Sequence, residues 1–202
     1  VNPNWIVAAS GKLYVTDFGM ERVYVYDAST GNYVTEFGEH GSKDGQFLYP
    51  EGIAADSFGN IYVADSGNYR IQKFAPDGTF LGKWGSMGSE NGQFDYPRGI
   101  AVDSSDNVYV GDVGNYRIQK FASDGTFLGK WGSMGSGDGQ FYNLEGIAAD
   151  SSGNIFVADS GNSRISKFDS DGTFITQWGS YGPGTGQFDF CEGIAADSFG
   201  NI

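Results

Sequence analysis

Pro50-Glu51-Gly52-Ile53-Ala54-Ala55-Asp56-Ser57-Phe58-Gly59-Asn60-Ile61-Tyr62-Val63-Ala64-Asp65 is the stretch that the rest of the chain copies. Its Gly52-Ile53-Ala54 core returns as Gly99-Ile100-Ala101, Gly146-Ile147-Ala148 and Gly193-Ile194-Ala195, each time 47 positions later. A fixed period of this length marks a repeat architecture, in which one supersecondary unit cannot bury its own apolar faces and must stack on neighbours.

Within 50–96 the pattern predicts four strands. The first, Gly52 to Asp56, carries small residues and one Ile, as a strand crowded against a central axis requires. The turn Ser57-Phe58-Gly59-Asn60 holds residues that tolerate positive φ. The second strand, Ile61 to Ala64, is apolar on both faces and so calls for cover on both sides. Asp65 to Tyr69 makes a hairpin into the third strand, Arg70 to Phe74. Ala75-Pro76-Asp77-Gly78 is a tight turn into the fourth strand, Thr79 to Trp84, where Lys83 discourages edge-to-edge pairing. A Gly-rich loop, 85–94, returns to the next unit.

Residues 97–143 and 144–190 repeat this order closely, and 191–202 begins a further unit that stops inside its second strand. Residues 1–49 are a divergent version. Ile6 to Ala9 stands for the first strand, Leu13 to Asp17 for the second with one residue fewer in the turn before it, and Glu21 to Tyr26 for the third. Short strands, 33 glycines and 16% aromatic residues are an all-β composition.

Four antiparallel strands per unit, with a period in the forties, predict blades of a β-propeller. Asn60-Ile61-Tyr62-Val63-Ala64-Asp65-Ser66-Gly67-Asn68-Tyr69-Arg70-Ile71-Gln72-Lys73-Phe74, with its recurrences at 107–121 and 154–168, resembles the NHL repeat. The first unit departs from it, with Phe18-Gly19-Met20-Glu21 before its Arg. The resemblance implies a ring of about six blades, of which this chain supplies four and the start of a fifth, all in one propeller domain. It also implies an extracellular or cell-surface setting, with self-association through open blade edges expected where an apolar sheet is left uncovered.

A net charge of −13 opposes the counterion release that drives binding to nucleic acid or anionic lipid. RNA recognition, known in relatives with a basic face, would have to rest on Lys12, Lys43, Arg98 and few others. No stretch has the apolar length of a membrane span, and no signal peptide is visible at the N-terminus. Cys191, alone of its kind, forms no intrachain disulfide and reads as a small packed hydrophobe.

The pairs Asp17 with Arg22, Asp65 with Arg70, Asp112 with Arg117, and Asp159 with Arg164 recur five positions apart. A group repeated in every unit is scaffold, and such an Asp is expected to accept hydrogen bonds from backbone N–H groups of its turn and from the returning Arg. The acidic turns at Asp56, Asp103, Asp150 and Asp197, and Asp169-Ser170-Asp171-Gly172 above all, leave calcium open as a cofactor. A calcium loop also needs a distal bidentate Glu, which that segment lacks. His40 stands alone and cannot build a zinc cluster. Trp84, Trp131 and Trp178, with Phe37 in the first unit, read as packing between blades.

The units disagree just before the Gly-Ile-Ala strand, at Glu51, Arg98, Glu145 and Glu192. One variable slot on a repeated scaffold is how such folds make a binding surface. With Tyr49 and Asn143 beside them, these residues are the candidate site for a cation or small polar ligand at the mouth of the axial channel. The alternative is that Arg98 neutralises adjacent glutamates. The expected function is therefore a non-enzymatic scaffold that presents loops to a protein or small ligand. A calcium-dependent lactonase or lyase using Glu51, Glu145 and Glu192 is the alternative.

Overall fold

Each repeat folds into one four-stranded antiparallel sheet whose strands lie side by side in chain order. The computed structural model describes residues 2–197 and 201–202. Two compact units, Val1–Pro97 and Arg98–Ile202, are distinguished. In the first lie β1 (Pro3–Ala9), β2 (Lys12–Asp17), β3 (Arg22–Asp27) and β4 (Tyr33–Phe37), followed by β5 (Pro50–Ala55), β6 (Ile61–Asp65), β7 (Arg70–Phe74) and β8 (Phe80–Trp84). In the second, β9 (Pro97–Val102), which starts one residue before the boundary, leads to β10 (Val108–Asp112), β11 (Arg117–Phe121) and β12 (Phe127–Trp131). The last sheet is β13 (Leu144–Ala149), β14 (Ile155–Asp159), β15 (Arg164–Phe168) and β16 (Phe174–Trp178).

Every residue of β6, β10 and β14 is buried, as their two-sided apolar patterns require. The outermost strands β8 and β12 alternate half-buried with exposed, and put Lys83 and Lys130 in solvent. In the first unit Tyr14, Val23, Phe47, Ile53, Ile61, Val63 and Phe74 form the core, and in the second Tyr109, Ile118, Phe141, Ile147, Ile155, Val157 and Phe168 do so. At about 1.5–3 kcal/mol for each fully buried large apolar side chain, these clusters are the main stabilising term of each unit. Phe37 packs on Phe74 at 4.9 Å and Trp131 on Phe168 at 6.0 Å, so these two fourth-strand aromatics join one blade to the next, whereas Trp178 is exposed and meets Phe156 of its own blade at 6.2 Å.

The register defines two edges in each blade. Pro50 pairs with Asp65, Asp65 with Arg70, and Ile71 with Trp84. One edge, here called upper, therefore carries the start of the first strand, the hairpin between second and third, and the end of the fourth. The lower edge carries the other two turns.

Lower-edge turns are built on a repeated Asp. Asp56 Oδ1 accepts from the N–H groups of Phe58 and Asn60, and its Oδ2 accepts from Asn60 Nδ2 and Tyr62 Oη. Burial pushes this carboxyl up, but the bonds from Asn60 and Tyr62 and the nearby Lys73 outweigh it and hold the group below 3.8. Asp150 is lowered in the same way. A depressed folded value means that the unfolded chain takes up the proton first as pH falls. The stability from these turns is thus complete above pH 3.8 and lost as pH drops through the folded value. Asp56→Ala is expected to cost about 2 kcal/mol at neutral pH, with the gap to wild type narrowing under acid in urea titrations. A gap that did not change with pH would contradict the assignment.

Several expectations are corrected. The first strand of the clean repeat runs Pro50–Ala55 and not Gly52 to Asp56, because the chain pairs with β6 before its bulge, and the fourth begins at Phe80. In the divergent repeat the third strand is Arg22–Asp27. Its shortened turn is Ser10-Gly11, with φ 50° and 74°, a two-residue hairpin with both residues left-handed. Residues 191–197 form no strand, although Ile194 and Cys191 pack on Phe156, Ala158 and Ile165. Asn201 N donates to Asp197 Oδ1 at 2.8 Å, and residues 198–200 of the expected turn lie outside the described residues.

Candidate functional site

The variable slot lies on the upper edge, inside an irregularity of the inner strand. Pairing slips between Pro50 and Ile53 and between Leu144 and Ile147, and this bulge re-aims Glu51 and Glu145 away from the ladder. In the first unit Asn4 Nδ2 donates to Glu51 Oε2, and Thr16 Oγ1 donates to Glu51 O at 2.8 Å. In the second, Arg98 is ion-paired with Glu145 Oε1, which also accepts from Asn143 Nδ2 at 2.8 Å. Both bridges join residues 47 apart, one slot to the next. Glu192 is exposed. The partner role expected of Asn143 is found, and Tyr49 instead stacks on Phe18 at 4.8 Å with an interplanar angle of 17°. Asn4 was not singled out from sequence, because its unit has lost the Gly-Ile-Ala signature that marks the slot elsewhere.

The recurring Asp–Arg pairs lie on the same edge and hold the chain together. Arg70 Nε donates to Asp65 Oδ2 at 2.6 Å, and its other nitrogens donate to the carbonyls of Ser42, Lys43 and Gln46. Arg164 repeats this on Asp159, Ser136, Gly137 and Gln140, and Arg117 pairs with Asp112 at 2.7 Å. The Arg70 and Arg164 clamps thus each fasten the loop that arrives from the preceding repeat. Burial pushes the Asp65 carboxyl up, against bonds from Leu48 N, Arg70 and Asn68, so the pair specifies geometry at a desolvation cost.

Two details differ from expectation. The backbone donor to Asp65 is Leu48 of the incoming loop, and to Asp159 it is Tyr142, not the N–H groups of the hairpin itself. The first repeat lacks the pair. Asp17 Oδ1 accepts from the N–H groups of Asn2, Gly19 and Met20, Asp17 Oδ2 is buried without a hydrogen bond, and Arg22 turns to Glu36. Burial raises Asp17, and the three N–H bonds override it and hold the carboxyl low.

Asp169 Oδ1 accepts from the N–H groups of Asp171 and Thr173, which is the bonding of a hairpin turn. Among the described residues no group of three or more His, Cys, Asp or Glu is placed to hold a metal ion. No helix of the described residues is long and apolar enough to cross a membrane. His40 Nδ1 meets Glu21 Oε2 on an exposed loop. Burial pushes the half-buried Cys191 thiol up, which disfavours the reactive thiolate.

Left-handed tyrosines are the feature of this edge that sequence reasoning missed, Tyr49 having been named only as a neighbour of the slot. The hairpin between second and third strands is a short 3-10 turn closed by a left-handed residue, Tyr69 at φ 55° and Tyr116 at φ 53°. Tyr49 and Tyr96, just before the inner strands, are also left-handed at φ 53°. Tyr69 and Tyr96 meet edge to face at 5.4 Å. The Tyr96 hydroxyl, then burial, then the charges of Tyr96 and Asp95 push the Tyr69 phenol up.

Comparison with known proteins agrees with this architecture. The NHL repeat model matches residues 47–74, 94–121 and 141–168. The B-box type zinc finger protein ncl-1 of Caenorhabditis elegans is 48% identical over 46 residues, 23% of this chain and 5% of that protein. Protein lin-41 of the same organism is 41% identical over 69 residues, 34% of this chain and 6% of its own length. The chain thus spans only a small fraction of these relatives. Among solved structures, a streptogramin B lyase superposes with a TM-score of 0.68 at 18% identity, covering 88% of this chain and 54% of that one. A chain of a nidogen/laminin complex gives 0.71 at 20% identity, covering 96% and 68%. At such identities these likenesses speak for the fold alone. The chain thus carries three NHL repeats at a constant period, on four-stranded antiparallel blades of the propeller build.

Proposed function

We propose that this chain is a non-catalytic recognition module that presents its upper edge to a protein partner. One observation carries the reading, the asymmetry of exposed apolar side chains between the two edges. In the first unit Met20, Tyr49, Met87 and Tyr96 are exposed on the upper edge, against Phe58 and Tyr33 at the lower. In the second, Met134, Tyr142, Tyr181 and Phe190 are exposed above, against Ile202 at the repeat position of Ile61, beside a lower-edge turn. Met87 is 65% and Phe190 72% accessible, and apolar groups gathered on one side mark an interaction surface. Methionine and aromatic side chains at loop tips also adapt to a partner's shape. The polar slot residues bridge one another in each unit and so serve to shape this edge.

The test is a combined Met87→Ser, Met134→Ser, Tyr181→Ser variant beside Phe58→Ser. Proteins co-purifying from the native source are expected to be lost with the triple variant and kept with Phe58→Ser, both retaining wild-type circular dichroism. A partner set unchanged by the triple variant would overturn the proposal.

A further inference from the structure

Every blade ends on a strand with a single neighbour, since β4, β8, β12 and β16 each pair only with the third strand of their own sheet. Such an edge is a template for another strand, and proteins commonly guard it with charge. These four edges are guarded unequally. They read Tyr33-Val34-Thr35-Glu36-Phe37, Phe80-Leu81-Gly82-Lys83-Trp84, Phe127-Leu128-Gly129-Lys130-Trp131 and Phe174-Ile175-Thr176-Gln177-Trp178. Pairing slips at the second residue of each, so the ladder is regular over the last three.

The middle residue of those three is Glu36, Lys83 or Lys130 in the first three blades, and on β8 and β12 a glycine precedes it, which weakens a strand. Only β16 is neutral throughout, with β-branched Thr176 in the place of the glycine and Gln177 in the place of the lysine. Ile175, Thr176 and Gln177 are all exposed, and neither Thr176 nor Gln177 makes a side-chain hydrogen bond among the described residues.

An antiparallel strand of identical sequence, centred on the middle residue, sets that residue against itself. Glu36, Lys83 or Lys130 would there face a like charge directly opposite, which is destabilising. Gln177 would face a second carboxamide, which both donates and accepts. The same register puts Thr176 across from Trp178, a β-branched and aromatic pair of the kind that stabilises sheets.

We infer that β16 pairs with β16 of a second copy of this chain, antiparallel about Gln177, so that two four-stranded sheets become one. The contact lies on a different strand from the upper-edge loops and does not depend on the recognition reading. With only 5 residues in β16 it is small, and the dimer is transient, with a Kd on the order of 100 µM. A net charge of −13 makes the copies repel, and salt screens that repulsion, so the dimer strengthens as salt is added, the reverse of an ion-paired contact.

Sedimentation equilibrium of the purified chain from about 5 to about 500 µM tests this. The expected result is a monomer–dimer equilibrium that tightens with salt and is weakened about 5-fold or more by Gln177→Lys. Lysine already stands at this position in β8 and β12, so the melting temperature of that variant is expected to stay within about 3 °C of wild type. In a Cys191→Ala background, Gln177→Cys is expected to give disulfide-linked dimers, because opposed residues of an antiparallel pair hold their Cα atoms about 4.5–5.5 Å apart. A chain monomeric throughout, or a Gln177→Cys variant that never links, would overturn the proposal. A dimer untouched by Gln177→Lys but lost with the Met87, Met134, Tyr181 triple variant would overturn it too, and would place self-association on the upper edge. A monomeric chain that loses a co-purifying protein on Gln177→Lys would give this edge to a foreign strand and not to a second copy.

Discussion

Arg164→Met is expected to lower the folding stability by about 3–5 kcal/mol in urea unfolding. The guanidinium is 6% accessible, bonds Asp159 at 2.9 Å and holds the carbonyls of Ser136, Gly137 and Gln140 at 2.7–3.0 Å. Removing it leaves the fully buried Asp159 carboxylate without its counter-charge and three carbonyls of the incoming loop short of a donor. The same change at Arg22 is expected to cost no more than about 1 kcal/mol, because that side chain is about a third exposed and pairs with Glu36 on the surface. Equal losses at the two positions would mean that the first repeat is wired like the others, against the geometry described here.

Gly99→Ala should rival that effect. A Cβ on Gly99 would lie 2.1 Å from the carbonyl oxygen of Glu145 on the next inner strand, a backbone atom that cannot move without shifting the blade. A loss of about 3 kcal/mol or more follows from overpacking of this kind. Gly111 is the contrast within the same blade. Its Cβ would meet Ile147 Cδ1 at 3.3 Å and the Gly99 backbone at an ordinary 3.5 Å, and Ala64 and Ala158 already stand at this position in other repeats. Gly111→Ala is expected to fall within about 1 kcal/mol of wild type, on the stabilising side if the smaller entropy of the unfolded chain dominates. Melting curves of the two variants decide the matter, and a mild Gly99→Ala would remove the close approach between inner strands as the reason for that glycine.

The candidate site was only partly legible. Glu51, Arg98 and Glu145 were visible as the slot where repeats disagree, and the structure adds their bulge and their bridges. Asn4 stayed hidden because a Pro-Asn-Trp stretch carries none of the repeat's marker residues. The left-handed tyrosines carried no signal at all. Glycine advertises positive φ, whereas tyrosine in such backbone looks like any strand residue until the hairpin closing around it is seen.

Four strands per repeat, their order, and the doubly covered second strand were determined by the sequence alone. Those features depend on apolar alternation and turn chemistry within a few neighbouring residues, and the fixed period multiplies the evidence. Tertiary structure alone decided what the charged residues do. Arg164 bonds carbonyls 24 to 28 residues behind it, and Glu51 meets Asn4 across a full repeat. Such pairings are set by the spacing between stacked sheets, a distance that no local pattern in the chain encodes.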